Sequence, residues 1–225
     1  MSPAPGSDSL SFFANPNLSG PNYAFEAALA AHGKRSIAGI DEAGRGPLAG
    51  PVVAAAVILD SDNIPGGLND SKRLSKRQHG QLFIEITATA RVAWSLATVA
   101  EIDAMNILQA TLLAMGKAVA MLGQKPDACL IDGRDVPLAL RHGGHAIIGG
   151  DARSLSIAAA SIIAKVVRDA MMQQADKAWP GYGFGRHCGY GTPAHFAALQ
   201  ALGPCPLHRR SFAPVALECQ MRGIA

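Results

Sequence analysis

The chain has 225 residues, 49% of them hydrophobic and 16% charged, which is typical of one soluble globular domain with a full core. Its formal net charge of +3 is too small to indicate nucleic-acid binding by itself, so any basic surface is expected to be local. No apolar run is long enough to span a membrane, and the N-terminus lacks the basic and apolar regions of a signal peptide.

The N-terminal part divides into a tail and the start of one domain. Residues 1–21 are rich in Ser, Pro, Gly and Asn, which predicts a flexible tail that carries no chemistry. A single domain is expected over residues 22–225. It opens with a helix over Asn22–His32 that turns Phe25 and Leu29 toward the core.

The next segment predicts two buried strands, a helix and a third strand. Strands are predicted over Ser36–Glu42 and Pro51–Leu59, and the small residues of the second strand indicate burial on both of its faces. A loop rich in Gly, Pro, Asn and Asp then leads to a helix over Ser71–Ala90 and a strand over Val92–Val99.

A long amphipathic helix is predicted over Glu101–Leu122, because apolar residues recur there at steps of three and four. Two short strands follow, over Ala128–Asp132 and His145–Gly149, and each ends at or near a carboxylate. A helix over Ser154–Lys177 is rich in alanine, which allows it to pack closely on the sheet.

The C-terminal part is expected to be an irregular segment followed by helix. Residues Trp179–Thr192 are rich in glycine and aromatic residues, and Thr192-Pro193 is a typical helix start, so a helix is predicted from there to about Leu202. The order of the elements predicts an α/β fold with a mixed five-stranded sheet, helices on its faces, and a C-terminal helical extension from about residue 179.

Four carboxylates lie at the ends of predicted strands. Asp41 and Glu42 close the first strand, Asp132 closes the fourth, and Asp151 lies just beyond the fifth. Ligand sites in open α/β sheets gather at strand ends, so these acids are expected to converge. They repel one another unless a cation lies among them, and an all-oxygen ligand set favours Mg²⁺ or Mn²⁺. For Asp132 alone, a turn residue before glycine is the simpler interpretation.

Three motifs resemble one known family. The sequence DEAGRGP at residues 41–47 lies between two predicted strands and resembles the signature of bacterial ribonuclease HII, the type 2 RNase H family. The sequence LIDG at residues 130–133 and the sequence GDARSLSIAAASIIAKVVRD at residues 150–169 match the segments that carry the family's third and fourth acids. The resemblance extends from Ile37 to Phe212.

The resemblance implies an RNase H-like fold and an endoribonuclease that hydrolyses the RNA strand of RNA–DNA hybrids. It also implies nicking on the 5′ side of single ribonucleotides embedded in duplex DNA, with 3′-hydroxyl and 5′-phosphate products. Its catalytic and metal-binding residues are expected to be Asp41, Glu42, Asp132 and Asp151. Two Mg²⁺ or Mn²⁺ ions, about 3.5–4 Å apart, suit in-line attack of water on the phosphodiester.

The adjacent positions of Asp41 and Glu42 raise a geometric difficulty. Successive side chains of a strand point to opposite faces, so a regular strand cannot bring both carboxylates to one metal. We expect the strand to bend or end at Glu42, or the Glu42 backbone carbonyl to act as a ligand.

The resemblance also implies which residues recognise the substrate. Gly44 and Gly46 have no side chains, so backbone can approach a ligand closely, and the family motif Gly44-Arg45-Gly46 is implied to recognise the ribose 2′-hydroxyl. Arg45 is also a candidate phosphate contact. Tyr190 resembles the tyrosine that stacks on the following deoxyribose and is preferred over Tyr182 because of its sequence context. Without the family, a tight turn is the favoured interpretation of the two glycines, and an ordinary core or loop aromatic stays open for Tyr190.

Further residues are candidates for phosphate contact. Lys72 lies in the sequence Asp70-Ser71-Lys72, which resembles a family segment at a helix start, where phosphate binding and ordinary capping are both open. The weaker candidates are Asn106, Arg153, Lys165, His208 and Arg209. Lys165 is equally compatible with a surface lysine that extends from a packed helix.

Neither the cysteines nor the histidines predict a zinc site. The four cysteines show no CxxC pairing, which indicates reduced thiols in a cytoplasmic protein; they are Cys129, Cys188, Cys205 and Cys219. No regular zinc-site spacing is found in the C-terminal set of His187, Cys188, His195, Cys205 and His208.

Two other functions stay open at this point. Another acid-clustered metal-dependent nuclease would cleave all-DNA duplexes, which the substrate-recognition residues argue against. A non-catalytic hybrid-binding module would not need four acids, because bare carboxylates repel phosphate. The expected partners are RNA–DNA hybrids and DNA that contains ribonucleotides, with no membrane, and the chain is expected to act as a cytoplasmic monomer.

Overall fold

The computed structural model describes residues 20–224. The predicted tail therefore lies outside the described residues except for Gly20 and Pro21. The helices are α1 Ala24–Ala31, α2 Lys76–Thr89, α3 Val99–Met105, α4 Ile107–Ala120, α5 Leu155–Ala178, α6 Phe184–His187, α7 Pro193–Leu202 and α8 Ala213–Arg222. The strands are β1 Ile37–Ala43, β2 Val52–Ile58, β3 Arg91–Ala97, β4 Ala128–Asp132 and β5 Gly144–Ile147.

The five strands form one mixed sheet in the order β3-β2-β1-β4-β5. Strands β1 to β3 pair antiparallel, as expected for consecutive strands, whereas β4 and β5 join the other edge of β1 in parallel. The α/β fold with a mixed five-stranded sheet and a C-terminal helical extension is thus confirmed. Strand β1 lies at the centre of the sheet, which places its C-terminal end beside that of β4.

The small residues of β2 allow helices to pack on both faces of the sheet. Val53, Ala55 and Val57 pack with α5 and α2, while Ala54 and Ala56 belong to the core cluster of α4. This alternation follows from the two-residue period of a strand. The predicted burial of this strand on both faces is confirmed, because every residue from 52 to 57 is buried.

The predicted helix over Glu101–Leu122 is wrong as a single element. Asn106 has a backbone φ of 72° and separates α3 from α4, and its side-chain oxygen accepts hydrogen bonds from the amides of Leu108 and Gln109. Asparagine adopts a positive φ more often than most residues, and it is also a good helix N-cap. The continuous apolar periodicity concealed the break.

The predicted start of the second helix, at Ser71, is also wrong. Residues Ser71–Arg73 form a short 3-10 turn whose preceding residue, Asp70, accepts a hydrogen bond from the amide of Lys72. Helix α2 begins at Lys76, where Ser75 and Gln78 form a reciprocal capping box. This separate turn brings Lys72 toward the strand ends.

Two short helices of the C-terminal part were not predicted individually. Helix α6 occupies part of the segment expected to be irregular, and α8 follows the last predicted element. Helix α8 has Pro214 in its first turn and buries Val215 and Cys219, four residues apart on one face. Within residues 20–224, no helix is long and apolar enough to cross a membrane.

Helix α5 approaches β1 at a glycine. A Cβ atom at Gly39 would lie 2.0 Å from the backbone carbon of Ser156, because the N-terminal turn of α5 rests directly on the strand. Only a residue without a side chain permits this backbone-to-backbone approach. The contact fixes the start of α5 next to the end of β1.

We predict that Gly39→Ala lowers the free energy of unfolding by about 1–3 kcal/mol, the usual cost of overpacking a core. Chemical denaturation followed by circular dichroism measures this change. The matched control is Gly80→Ala on the exposed face of α2, where a Cβ atom meets nothing within 4 Å. That substitution should raise stability by about 0.5–1 kcal/mol. Equal effects at the two positions would contradict the packing argument.

Candidate active site

Three carboxylates meet where β1 and β4 end. Single oxygen atoms of Asp41, Glu42 and Asp132 lie within 4.8 Å of one another. The parallel register pairs Ile40 with Ile131, so the next residues along the two strands, Asp41 and Asp132, are neighbours. The topology of the sheet therefore brings together acids that are distant in sequence.

Glu42 joins this cluster although its neighbour Asp41 is in the same strand. Of the alternatives expected for Glu42, an end of the strand at this residue is wrong, because the strand continues to Ala43 and Glu42 pairs with Ala54 of β2. A bend in the strand and ligation by the Glu42 carbonyl stay predictions. On the other edge of β1, the pairing with β4 extends no further than Ile40 in the described ladder. The Glu42 carboxylate lies at this edge, where its Oε1 accepts a hydrogen bond from Arg45 Nη1 at 3.3 Å.

Burial and mutual repulsion make these carboxylates unfavourable without a cation. Burial raises the pKa of Asp41 well above its usual value, and the charges of Glu42 and Asp132 raise it further. Burial also raises the pKa of Glu42 and of Asp132, although Arg45 opposes the shift at Glu42 and the Gly150 amide opposes the shift at Asp132. A divalent cation fits this set, because all the available ligands are oxygen atoms.

Asp151 lies beside the cluster and holds a lysine. It is on a short 3-10 turn, Gly150–Ala152, and its Oδ2 accepts a hydrogen bond from Lys72 Nζ at 2.7 Å. The preceding amide, of Gly150, donates to Asp132 Oδ1 at 2.6 Å, and the Asp151 charge contributes to the raised pKa of Asp41. The structure thus places the fourth predicted acid next to the other three, paired with the exposed side chain of Lys72.

The cluster forms one wall of a cleft of about 260 Å³. The predicted substrate-recognition residues Gly44, Arg45, Gly46 and Tyr190 line the same cleft. Its other lining residues include Lys72 and Lys165 of the predicted phosphate contacts. A Cβ atom at Gly46 would lie 3.7 Å from Tyr190 Cε1, so the glycine motif and the tyrosine ring are direct neighbours.

Tyr182 and Tyr190 have different environments. Tyr182 is buried, and its hydroxyl donates to the carbonyl of Gly203 at 2.6 Å. The ring of Tyr190 is 47% exposed and faces the cleft. Only the second of these rings is therefore accessible to a ligand in the cleft.

The remaining predicted phosphate contacts have other partners or lie elsewhere. Asn106 caps α4 and lines a different pocket. Arg153 lies over the ring of Phe25 and bonds the carbonyl of Ile148, while Lys165 forms an ion pair with Asp169 at 2.8 Å.

His208 and Arg209 are wrong as surface phosphate contacts, because they are 2% and 0% exposed. Arg209 is instead half of a pair of buried arginines behind the glycine motif. It donates hydrogen bonds to the carbonyls of Gly44, Arg45 and Gly50 at 2.5–2.9 Å.

The second buried arginine, Arg168 of α5, supports the same loop. It is 1% exposed and donates to the carbonyls of Ala49, Pro51 and Cys188. A Cβ atom at Gly44 would lie 1.9 Å from Arg168 Nε, and Gly44 has a φ of 95°, so this position requires glycine on two grounds. Sequence reasoning missed this role of both arginines, since a lone Arg in a helix or after a proline-rich turn carries no signal of burial.

The Arg209 hydrogen bonds also orient the peptide groups of the motif. In a trans peptide the C=O and the following N–H point in opposite directions. Because Arg209 binds the carbonyls of Gly44 and Arg45, the amides of Arg45 and Gly46 point away from Arg209.

The comparison with known proteins decides the family. A family model for ribonuclease HII matches residues 38–215. The chain belongs to the ribonuclease HII family. Ribonuclease HII of Parvibaculum lavamentivorans is 54% identical over 195 residues, which cover 87% of this chain and 72% of that protein. Ribonuclease HII of Sinorhizobium fredii is 53% identical over 214 residues, which cover 95% of this chain and 92% of that protein.

Solved structures of type 2 ribonucleases share the fold. The crystal structure of ribonuclease H2 from Pyrococcus horikoshii OT3 matches with a TM-score of 0.69 at 28% identity, over 83% of this chain and 98% of that chain. The crystal structure of Bst-RNase HIII in complex with Mn²⁺ matches with a TM-score of 0.64 over 86% of this chain and 73% of that chain. At 23% identity, this second likeness shows the fold alone.

Membership of the ribonuclease HII family identifies the chain as an RNase H endoribonuclease, a metal-dependent hydrolase. The carboxylate cluster at the ends of β1 and β4 is consistent with its metal site. The family therefore agrees with the chemistry that the donor set favours.

We predict that Arg209→Lys lowers the free energy of unfolding by about 2 kcal/mol or more. Lysine keeps the charge but cannot bind the carbonyls of Gly44, Arg45 and Gly50 together, which leaves buried polar groups unpaired. Chemical denaturation measures the change. The control is Arg77→Lys on the exposed face of α2, which should change the free energy of unfolding by less than about 0.5 kcal/mol. An unchanged free energy of unfolding in Arg209→Lys would show that the carbonyl contacts are dispensable.

Proposed function

We propose that the chain hydrolyses the RNA strand of RNA–DNA hybrids and nicks duplex DNA on the 5′ side of single embedded ribonucleotides. The products would carry 3′-hydroxyl and 5′-phosphate ends. One observation supports this proposal above the others: the carboxylate cluster shares a single cleft with the glycine motif and the Tyr190 ring. A scissile phosphate and its two flanking sugars can therefore contact all three elements together.

The residues that would hold the metal are Asp41, Glu42 and Asp132, with Asp151 as the proposed fourth ligand. The chemistry that two bound Mg²⁺ or Mn²⁺ ions would supply there is activation of the attacking water and stabilisation of the leaving oxygen. Lys72 Nζ pairs with Asp151 Oδ2 at 2.7 Å, so ligation by Asp151 would use its other carboxylate oxygen or would require Lys72 to release it. Lys72 would then be free to contact a phosphate. Bst-RNase HIII, which shares the fold, has been crystallised with Mn²⁺.

Recognition of the ribonucleotide would depend on the glycine motif. The amides of Arg45 and Gly46 point away from the Arg209 guanidinium and are the proposed contacts of the ribose 2′-hydroxyl. Each amide would donate a hydrogen bond to the 2′-hydroxyl. A deoxyribose would leave the amide unpaired, so this hydrogen bond would discriminate between the two sugars. The positive φ of Gly44 and its contact with Arg168 hold this arrangement in place.

Recognition of the following deoxyribose would depend on Tyr190. An aromatic face packs well against a sugar that lacks a 2′-hydroxyl, because no polar group is desolvated by the contact. The ring lies next to Gly46, so the two sugars on either side of the scissile phosphate would meet adjacent elements. This adjacency is the physical basis of the proposed specificity for an RNA–DNA junction.

One assay separates this function from its rivals. Duplex DNA with and without a single ribonucleotide is incubated with Mg²⁺, with Mn²⁺ or with a chelator. The proposal expects nicking only of the ribonucleotide-containing duplex and only with metal. Cleavage of all-DNA duplex would favour a general nuclease, and binding without cleavage would favour a non-catalytic module.

We further propose that the chain acts as a monomer in the cytoplasm, where RNA–DNA hybrids and ribonucleotide-containing DNA occur in a bacterium. The four cysteines are free thiols in the structure, which is compatible with a reducing compartment. Sedimentation equilibrium of the full chain tests the oligomeric state, and a dimer would contradict this part of the proposal.

We predict that Asp41→Asn or Asp132→Asn lowers cleavage of an RNA–DNA hybrid by about 10²–10³-fold or more, because each removes a charged metal ligand. Binding of the hybrid should stay largely intact, since the other cleft residues are unchanged. Single-turnover rates and fluorescence anisotropy measure the two quantities. The control is Asp135→Asn, because Asp135 is an exposed acid that follows β4, the strand of Asp132. Normal turnover by either cluster variant would contradict the assignment.

We also predict that Asp41→Asn raises the free energy of unfolding of the metal-free protein at pH 7. The raised pKa of Asp41 means that ionisation of this carboxyl destabilises the folded state as the pH rises above about 4, and asparagine removes that cost. Thermal unfolding in chelator measures the change. A less stable variant would show that the carboxylates do not repel one another as inferred.

We predict that Tyr190→Ala lowers kcat/KM on a duplex with one embedded ribonucleotide by about tenfold, the equivalent of ~1.5 kcal/mol of aromatic contact. Tyr190→Phe is the matched control and should keep the activity, because it keeps the ring. Equal rates for the wild type and Tyr190→Ala would remove the proposed role of this side chain.

A further inference from the structure

The peptide groups around Tyr190 are held by hydrogen bonds to two histidine side chains and to the backbone. The Tyr190 carbonyl accepts two hydrogen bonds, from the Thr192 amide at 2.8 Å and from His195 Nδ1 at 2.9 Å. The Tyr190 amide donates to the carbonyl of His187, and the Gly189 amide donates to His187 Nδ1 at 3.2 Å. The exposed ring therefore extends from a backbone whose polar groups are already paired.

The hydrogen bonds determine the tautomer of each histidine. The Cys205 amide can only donate, so His208 Nδ1, at 3.0 Å, is unprotonated and the His208 proton is on Nε2. His208 Nε2 then donates to His195 Nε2 at 3.1 Å. The proton of His195 must consequently be on Nδ1, which donates to the Tyr190 carbonyl.

A second, parallel arrangement holds the other side of the loop. His187 Nδ1 accepts from the Gly189 amide, so its proton is on Nε2, which donates to the carbonyl of Tyr182 at 2.9 Å. The rings of His187 and His195 stack at 4.5 Å with an angle of 18°. All six ring nitrogens of the three histidines have hydrogen-bond partners, so none of them has a lone pair free for a metal.

The surroundings favour the neutral histidines that this chain of hydrogen bonds requires. His195 is 0% and His208 2% exposed, and the ring of Phe184 packs edge-on against His195. Burial lowers the pKa of His195, and burial together with the neighbouring His195 lowers the pKa of His208 to about 4. Both imidazoles are therefore uncharged at pH 7.

The chain of hydrogen bonds ends at the cleft. Tyr190 is the residue whose ring lies beside Gly46, and the Leu48 amide bonds the Gly189 carbonyl at 2.8 Å, which ties the tyrosine loop to the segment after the glycine motif. Because the Tyr190 amide and carbonyl are both held by hydrogen bonds, the direction in which the side chain leaves Cα is fixed as well. The hydrogen bond from His195 Nδ1 is thus able to orient the Tyr190 ring toward the deoxyribose of the proposed substrate.

We propose that His195 is a positioning residue for Tyr190, and that His208 holds His195 in the Nδ1-protonated tautomer that this role requires. The proposal rests on the proposed role of Tyr190 at the RNA–DNA junction. It assigns to two buried histidines a part in substrate specificity, although neither touches the cleft.

A pair of variants separates the hydrogen bond from simple packing. His195→Leu has similar volume but no donor, whereas His195→Asn keeps an amide donor at the position of Nδ1. The measured quantity is the ratio of kcat/KM on a single embedded ribonucleotide to kcat/KM on a continuous RNA–DNA hybrid. We expect His195→Leu to lower this ratio to the value of Tyr190→Ala, and His195→Asn to restore most of it.

The same ratio in a double variant shows whether His195 acts through Tyr190. In the Tyr190→Ala background, His195→Leu should lower the ratio no further, because the ring that it positions is absent. Independent, multiplicative losses would overturn the proposal. If Tyr190→Ala lowers the ratio and His195→Leu alone does not, this inference fails while the role of Tyr190 stands. If Tyr190→Ala itself has no effect, the proposed role of Tyr190 fails, and this inference fails with it.

A spectroscopic measurement on the wild-type chain does not depend on whether any variant folds. Long-range ¹H–¹⁵N spectra of the full wild-type chain at pH 7 distinguish the two neutral tautomers from the charged ring. We expect His195 with its proton on Nδ1 and His208 with its proton on Nε2. His208→Asn, which keeps the acceptor for Cys205 but cannot reach His195, should shift His195 toward a mixture of tautomers. The opposite tautomer or a charged ring at His195 in the wild type would overturn the proposal.

Discussion

The candidate active site depends on three carboxylates that the sheet brings together at the ends of two parallel neighbouring strands. Asp41 and Asp132 are adjacent because β1 and β4 pair in register, and Glu42 joins them at the open edge beyond that pairing. Burial and like charge oppose this arrangement, as the raised pKa of each acid shows. A protein keeps such a cluster when a cation offsets the repulsion, which agrees with membership of the metal-dependent ribonuclease HII family.

The elements around the cluster are supported by groups that never reach the surface. Arg168 and Arg209, both buried, bind main-chain carbonyls of the loop that carries the glycine motif, and neither depends on a carboxylate for this role. Buried guanidinium groups are costly, but five fixed donors can satisfy several carbonyls of an irregular loop at once. The C-terminal extension thus contributes to the cleft by holding a loop from behind. Two histidines of the same extension, His195 and His208, support Tyr190 from behind in a similar way.

Much of the fold was predictable, because periodicity and composition carry it. The buried strand β2 was predicted from its run of small apolar residues, and α5 was predicted from its alanine-rich sequence. The acids at the strand ends were predicted because they stand where apolar runs stop. The break at Asn106 was missed because the apolar stripe runs through it without interruption. The roles of Arg209 and His208 were also missed, because a sequence shows that a residue is polar but does not show that its partners are main-chain groups far along the chain. Such roles become visible only when the loops that these residues join are placed in space.

The central claim is that the carboxylates at the ends of β1 and β4 form the metal site. Anomalous diffraction at the manganese absorption edge, from crystals of the full chain grown with Mn²⁺, tests it most directly. The account predicts an anomalous peak in ligand contact with Asp41, Glu42 and Asp132. Fully occupied manganese elsewhere on the protein, with no peak among these three acids, would contradict it.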